Sequence, residues 1–324
     1  NPSSIYTEGK DARFAVEAAR RSVAQLLNCT ARRITFTGSG SEANNLAIKG
    51  VAFANWNSKN HIITTSIEHP SVIDTCQWLE RHGFEVTYLE IDKTKKLNPE
   101  DLRSAITEKT CLISVMMANN ETGSINPITE LVRIAKERDI LFHTDCVQAI
   151  GKIPIDVNTL GVDLLTMSGH KLYGPKGIGA LYIRKGVVLE PLISGGKQEN
   201  GMRAGTENVL GIVGLGKAAE LAVQRIHEMD RIKRMRDKLE KGIRELMAEA
   251  KLNGNPGAML PNTLNITLPG IRGESVVLAL DQKGVSLSSG SACRAGSPKP
   301  SHALLAMGLS EEEAHCALRF SLGL

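Results

Sequence analysis

The feature that most constrains the fold is an alternation of short apolar segments with amphipathic helical stretches. Seven segments have the β-branched, apolar composition of buried strands: 34–37, 61–66, 85–91, 111–117, 140–144, 163–167 and 180–183. Helical patterns such as SEANNLAIKGVAFANW and PITELVRIAKERD lie between several of them. This alternation predicts an α/β fold, in which helices cover both faces of a mainly parallel seven-stranded sheet.

The pattern changes beyond residue 215. Apolar residues recur there every three or four positions, at Ile232, Met235, Leu239, Ile243 and Leu246, which predicts one long helix. A Gly/Pro/Asn-rich break, LNGNPGAMLPNT, and a short mixed region follow. We therefore expect a large domain over 1–225 and a smaller C-terminal α+β domain over 226–324.

The composition is that of a globular enzyme, with 42% hydrophobic and 23% charged residues. A net charge of +4, dispersed along the chain, gives no reason to expect nucleic acid as a partner. No apolar run reaches the roughly 18–20 residues that a membrane-spanning helix needs, so we expect no membrane partner. Both ends, NPSSIY and RFSLGL, look cut, so missing targeting signals carry little weight.

The six cysteines show neither a CxxC pair nor a Cys/His cluster at zinc spacing. We expect no metal site and no disulfide framework. A reducing compartment is the default for such a chain, namely the cytoplasm, or the mitochondrial matrix if the source is eukaryotic.

Polar residues gather where predicted strands end, and ligands bind at this edge of a parallel sheet. TFTGSGSEANN runs from a strand through a Gly-rich turn into a helix near Ser41, which suits either a phosphate or a simple Ser N-cap. His69, in SIEHPSV, is either a helix cap or a catalytic group. Asp145 and Gln148 follow another strand, and Lys171, in TMSGHKLYGPKG, follows the next.

These groups together match the needs of one cofactor, pyridoxal phosphate. Its phosphate needs an anion site, its ring nitrogen works best protonated beside a carboxylate such as Asp145, and its aldehyde must be captured by a lysine. A metal site or a dinucleotide site would leave Lys171 without a purpose. We therefore predict a pyridoxal-phosphate site at this edge.

The chain resembles the cysteine desulfurases of the NifS/IscS kind, which are fold-type I pyridoxal-phosphate enzymes of the class-V aminotransferase family. The resemblance covers essentially the whole chain and rests on TGSGSEANN, EHPSV, NNETG, HTDCVQ, SGHKLYGPKG, RAGTEN and SSGSACRAG in this order. It implies removal of sulfur from L-cysteine, giving L-alanine and a persulfide on Cys293. A selenocysteine lyase and an aminotransferase are the alternatives with the same fold.

The resemblance also implies a role for each candidate residue. Lys171 would bind the cofactor's aldehyde, Asp145 its ring nitrogen, and Gln148 its phenolic oxygen. His69 would stack on the ring and handle protons, and Asn120 would lie beside ring and substrate. The remaining roles are phosphate binding by Gly40, Ser41, Ser168 and His170, phosphate binding across a homodimer by Thr206, and recognition of the substrate carboxylate by Arg319.

Cys293 lies among Ser, Gly and Ala residues, a composition that is typical of exposed loops. One thiol on such a loop could take sulfur from the substrate and carry it to an acceptor protein, such as an iron–sulfur scaffold. The family has a further N-terminal stretch with a Thr-rich segment and a C-terminal tail, and both are missing from this sequence. We expect a truncated sequence rather than a shorter enzyme.

Overall fold

The computed structural model describes residues 1–91, 97–289 and 299–324. All seven predicted strands form, as β1 Ile34–Thr37, β2 His61–Thr65, β3 Glu85–Leu89, β4 Thr110–Ser114, β5 Leu141–Asp145, β6 Leu164–Ser168 and β7 Gly179–Ile183. They build one sheet in the order β1-β7-β6-β5-β4-β2-β3. β7 runs antiparallel to both of its neighbours, and β6, β5, β4, β2 and β3 run parallel. The predicted α/β fold with a mainly parallel sheet is confirmed.

Helices lie on both faces of this sheet because its strands are apolar on both faces. The helices of this part are α1 Thr7–Leu26, α2 Gly40–Ala54, α3 Pro70–Glu80, α4 Pro99–Ala105, α5 Ile128–Lys136, α6 Val157–Leu160 and α7 Val209–Arg225. In β2, Ile62 belongs to a buried cluster with α2 and α3, and its neighbour Ile63 belongs to a second cluster with α1, α5 and α7.

The last part of the chain forms a second, antiparallel sheet. Its strands are β8 Lys251–Leu252, β9 Thr263–Thr267 and β10 Ala317–Ser321, in the order β10-β9-β8. The accompanying helices are α8 Met229–Leu246, α9 Gly273–Asp281, α10 His302–Ala306 and α11 Glu311–His315. The division into domains at residue 225 stays a prediction. Within the described ranges, no helix is long and apolar enough to cross a membrane.

The long helix predicted from Ile232, Met235, Leu239, Ile243 and Leu246 forms as α8, but it does not extend back to residue 215. α7 ends at Arg225, a 3₁₀ turn occupies Ile226–Glu228, and α8 begins at Met229. α7 packs against α1, whereas α8 packs against β9, so the two helices have different packing partners. The turn contains neither Gly nor Pro, and the sequence therefore carries no ordinary signal of a break.

Candidate active site

A cavity of about 200 Å³ opens beyond the carboxyl ends of the parallel strands. Ten of the predicted site residues line it: Gly40, Ser41, His69, Asn120, Asp145, Gln148, Ser168, His170, Lys171 and Arg319. The wall also contains six residues that sequence reasoning missed: Ser39, Asn44, Ser71, Met116, Ala118 and Val147. Among the described residues, no group of three or more His, Cys, Asp or Glu could hold a metal ion.

Asp145 is the last residue of β5 and is buried. Its Oδ1 accepts a hydrogen bond from the backbone N–H of Val147 at 2.9 Å, and its Oδ2 accepts one from Nδ2 of Asn44 at 2.7 Å. Burial raises the pKa of Asp145, and the hydrogen bonds from Asn44 and Val147 oppose that rise. A cationic group in the cavity would therefore be stabilised beside this carboxyl.

His69 is the N-cap of α3, and Pro70 follows at the first helical position. Its Nδ1 accepts the backbone N–H of Ser71 at 3.1 Å and lies 2.8 Å from the hydroxyl of the same residue. Burial lowers the pKa of His69, which favours a neutral ring. A neutral ring that accepts at Nδ1 carries its proton at Nε2. The side chain of His69 thus both caps α3 and lines the cavity.

Asn44 connects the histidine and the carboxyl. Its Nδ2 donates to Oγ of Ser71 at 2.9 Å as well as to Asp145. Asn44 lies one helical turn after Gly40, so it faces the same side of α2 as the turn that begins the helix. That i to i+4 spacing is the sequence signal that could have identified it.

The start of α2 forms an anion cradle with residues that follow β6. Oγ of Ser39 caps the helix by accepting the N–H of Glu42 at 3.0 Å, and Ser168 Oγ lies 3.0 Å from Nδ1 of His170. A Cβ on Gly40 would stand 3.0 Å from Val147 and 3.1 Å from Ser168, so the missing side chain keeps this wall open. Backbone N–H groups at a helix start, beside hydroxyls, suit a phosphate.

Lys171 lies in the 3₁₀ turn Gly169–Leu172, directly after β6. A side chain on Gly169 would meet the carbonyl oxygen of Pro175 at 3.0 Å and Ile178 at 2.7 Å, so this turn requires glycine for close packing. Lys171 lines the cavity described above and also a second cavity, of about 560 Å³. Lys171 therefore borders two open spaces.

Arg319 reaches the site from β10 of the second sheet. Its Nη1 donates to the backbone carbonyl of Asn120 at 2.8 Å, and its Nη2 donates to Oγ of Ser288 at 3.2 Å. The two bonds orient the guanidinium at the cavity wall, where a planar fork can bind a carboxylate with two hydrogen bonds.

Two predicted residues lie elsewhere. Thr206 lines a separate depression of about 290 Å³, together with Gly38 and Arg203, and is not part of the cavity wall. Cys293 lies outside the described residues. The action of Thr206 on the phosphate of another subunit stays a prediction.

The chain belongs to the class-V aminotransferase family, which its residues 1–324 match throughout. Enzymes of this family depend on pyridoxal phosphate. Among curated relatives, the cysteine desulfurase IscS of Methanosarcina thermophila is 53% identical over all of this chain and 80% of its own length. The IscS of Dictyoglomus turgidum is 50% identical over all of this chain and 82% of its own length.

Solved structures agree with these relatives. A NifS-like protein superposes with a TM-score of 0.93 at 40% identity, covering 99% of this chain and 86% of its own. SspA in complex with cysteine superposes with a TM-score of 0.86 at 40% identity, covering 99% and 90% of the two chains. The resemblance and the fold-type I class predicted from the motifs are confirmed.

The residues present fit pyridoxal phosphate. The cradle at the start of α2 offers donors for a phosphate, and the buried Asp145 offers a carboxylate for a protonated ring nitrogen. Oδ1 of Asn44 is buried and accepts no hydrogen bond from the described residues, which leaves an acceptor for a bound group. Lys171 supplies the primary amine that the aldehyde requires.

Proposed function

We propose that this chain is a cysteine desulfurase, which takes sulfur from L-cysteine, releases L-alanine and holds the sulfur as a persulfide on Cys293. The observation that carries the proposal is the common cavity of Lys171, Asp145, His69 and Arg319 at the sheet edge. The relatives named cysteine desulfurase, at about half identity over the full chain, support the same activity.

The cofactor, when bound, supplies an aldehyde that a lysine can capture and a ring that accepts electrons from the substrate. Lys171 would hold that aldehyde through Nζ, and its amine would move the α-proton of the substrate. Asp145 would hold a proton at the ring nitrogen, and Asn44 and Val147 keep its carboxyl oriented.

The other residues of the cavity wall would bind and orient the cofactor and the substrate. Gly40, Ser41, Ser168 and His170 would hold the phosphate, and Gln148 would contact the phenolic oxygen. Arg319 would bind the substrate carboxylate with its fork, which Asn120 and Ser288 orient. His69 would pack on the ring and move protons near the sulfur through Nε2.

Sulfur transfer is a displacement at sulfur. The Cys293 thiolate attacks the substrate sulfur, a sulfur–sulfur bond forms, and the bond between the substrate's β-carbon and sulfur breaks. The electron pair of the broken bond stays with carbon, which takes up a proton and becomes the methyl group of alanine. The products are alanine and Cys293 persulfide, with no external oxidant.

The other five cysteines are poor candidates for this step. Cys76, Cys111, Cys146 and Cys316 are buried, and Cys29 is half-buried. Burial raises the pKa of Cys29 and of Cys111 to about 11, and it raises the pKa of Cys76 and Cys146 further. Because the thiolate is the nucleophile, the raised pKa disfavours these four thiols at neutral pH, and burial keeps Cys316 from a substrate.

The test uses Cys293→Ser, with Cys29→Ser as the control on the least buried of the other five thiols. The cofactor-loaded variants are exposed to L-cysteine, and alanine, sulfide and one added sulfur on the protein are measured. We expect Cys293→Ser to lose persulfide and sulfide while the absorption band of the cofactor remains, and Cys29→Ser to behave as the parent chain. Unimpaired desulfuration by Cys293→Ser would reject the sulfur-transfer proposal.

We also propose a homodimer in which Thr206 of one chain binds the phosphate in the other. Its place in a separate depression supports action outside its own cavity. Mixing Lys171→Ala chains with Thr206→Ala chains should restore activity in hybrid dimers, because one of the two sites is then intact. Absence of restoration would contradict action across the dimer.

The persulfide needs an acceptor. We propose a sulfur-acceptor protein such as an iron–sulfur scaffold. We also propose the cytoplasm as the compartment, or the mitochondrial matrix if the source is eukaryotic, because chemistry on a free thiol requires reducing conditions. Transfer of labelled sulfur from Cys293 to a purified scaffold tests the first point, and no transfer under reducing conditions would contradict it.

A further inference from the structure

Lys152 is a half-buried cation that the roles above do not use. It lies in the loop that follows β5, and its Nζ donates to the backbone carbonyl of Gln148 at 2.7 Å. Within the residues that the structure describes, it forms no ion pair with a carboxylate. A lysine held without a counter-ion next to a reaction site is unusual enough to need an explanation.

Lys152 and Lys171 line the same cavity of about 560 Å³, whose wall does not include Asp145. Lys217 and Arg225 of α7 also line it, and its described wall contains no Asp or Glu. The charges that face Lys171 therefore differ between its two sides. Asp145 of β5, His69 at the start of α3, His170 of the same turn and Arg319 of β10 lie on the first side, and cations lie on the second.

The two lysines act on one another through space. Burial, together with the charge of Lys171, lowers the pKa of Lys152 to about 8. Coulomb repulsion is mutual, so a charge on Lys152 disfavours a charge on Lys171 equally. A neighbouring cation in a partly dry site is a known way to make a lysine amine nucleophilic.

We propose that Lys152 is a positioning residue whose ammonium group, fixed on the Gln148 carbonyl, keeps the nitrogen of Lys171 from holding a positive charge. The inference rests on the proposed function, because it explains how Lys171 meets the aldehyde as a neutral amine. Lys152 supplies the positive charge that repels a proton from Lys171, and the backbone carbonyl of Gln148 holds the ammonium group of Lys152 in place.

The variants separate charge from hydrogen bonding. Lys152→Met removes both, Lys152→Gln removes the charge and keeps a donor, and Lys152→Arg keeps the charge. Lys176→Met, an exposed lysine near the same turn, is the matched control for loss of one positive charge. If Lys152→Met fails to fold, the Gln variant carries the test.

Two measurements report the protonation of Lys171 without requiring catalytic turnover. The first is the pH dependence of Lys171 acylation by acetic anhydride in the cofactor-free chain, followed by mass spectrometry. The second is the pH titration of the absorption band in the cofactor-loaded protein. We expect the Met and Gln variants to raise both midpoints by about one pH unit, a tenfold change in the protonation equilibrium.

Lys152→Arg and Lys176→Met should leave the midpoints unchanged. Equal midpoints in Lys152→Gln and the parent chain would overturn the proposal, since the charge would then have no effect. A chain that shows the shift but releases no sulfur would contradict the proposed function and leave this inference intact, so the two failures are distinguishable.

Discussion

His69 shows that a structural cap and a site residue can be one side chain. Its Nδ1 satisfies an N–H at the start of α3, which leaves the proton on Nε2. The sequence alone left the two interpretations, a cap or a catalytic group, as alternatives. The geometry makes them compatible, because the helix start that needs a cap also lies at the ligand edge of the sheet.

Glu68, directly before His69, makes the stability of the fold depend on pH. Its fully buried carboxyl accepts hydrogen bonds from Oγ1 of Thr65 at 2.7 Å and from the N–H of Met116 at 2.8 Å. Burial raises its pKa to about 8, whereas the unfolded chain releases this proton near the ordinary value of 4.5. The contribution of Glu68 to stability is therefore greatest below pH 4.5 and falls as pH rises toward 8.

We expect Glu68→Gln to remove this part of the pH dependence. The free energy of unfolding of the parent chain should fall relative to the variant by at most about 1.4 kcal/mol per pH unit between pH 4.5 and 8. Urea unfolding of both proteins at several pH values measures the difference. A difference in unfolding free energy that stays constant between pH 4.5 and 8 would contradict a raised pKa of Glu68.

At the scale of elements, the segment between β7 and α7 is tied to the main sheet at two points. Arg20 of α1 donates to both oxygens of Glu199 at 2.7 and 2.9 Å, and Glu199 also accepts the N–H of Phe36 in β1 at 2.9 Å. Arg203 pairs with Glu42 in the first turn of α2 at 2.9 Å. Thr206 follows directly, so these two ion pairs fix the segment that presents it.

Breaking the buried pair should be costly. Arg20→Met leaves Glu199 buried without its cation, and we expect a loss of about 3–5 kcal/mol in the free energy of unfolding. The double variant Arg20→Met/Glu199→Gln should recover most of it, because a neutral acceptor for Phe36 remains. Urea unfolding of both variants is the measurement, and equal losses would show that the charge is not the cause.

Gly179, the first residue of β7, determines how closely this strand approaches the phosphate cradle. An added Cβ would lie 2.5 Å from the carbonyl carbon of Ser39 and 2.8 Å from the nitrogen of Gly40, both of which are backbone atoms. The turn would have to move. We expect Gly179→Ala to weaken binding of pyridoxal phosphate about tenfold, or about 1.4 kcal/mol.

Equilibrium titration with the cofactor measures this effect. Gly242→Ala, in α8, is the control, because its Cβ would meet nothing within 4 Å and the helix should gain about 0.5–1 kcal/mol. Unchanged cofactor affinity in Gly179→Ala would show that the cradle does not depend on this contact.

At the scale of the whole molecule, the site is completed by a residue from a second sheet. Arg319 stands in β10 and contacts Asn120, which follows β4 of the main sheet. Neighbouring positions along the chain give no indication of this contact. The packing of β10 near the end of the main sheet decides where the guanidinium lies.

We expect Arg319→Lys to raise KM for L-cysteine about 10- to 100-fold with a smaller change in kcat, because an ammonium cannot form the two parallel bonds of a guanidinium. Steady-state alanine production measures both constants. A loss confined to kcat would contradict a role in substrate binding.

The sequence predicted the seven strands well, because a strand buried on both faces is a continuous apolar run whatever its neighbours are. It did not predict that β7 lies between β1 and β6 and runs antiparallel to both, since apolar runs do not specify their partners. Nor did it predict the break between α7 and α8, where α7 packs on α1 and α8 packs on β9.

The sequence by itself determined the chemistry available at the sheet edge, namely one lysine, one carboxylate, one imidazole and a glycine-rich helix start. Those groups follow strand ends, and strand ends are readable from local hydrophobicity. The tertiary structure alone decided the supporting contacts: Asn44 with Asp145, Lys152 with Gln148 beside Lys171, and Arg319 with Asn120. The physical reason is that hydrogen bonds and Coulomb forces depend on distances in space, which packing sets and chain order does not.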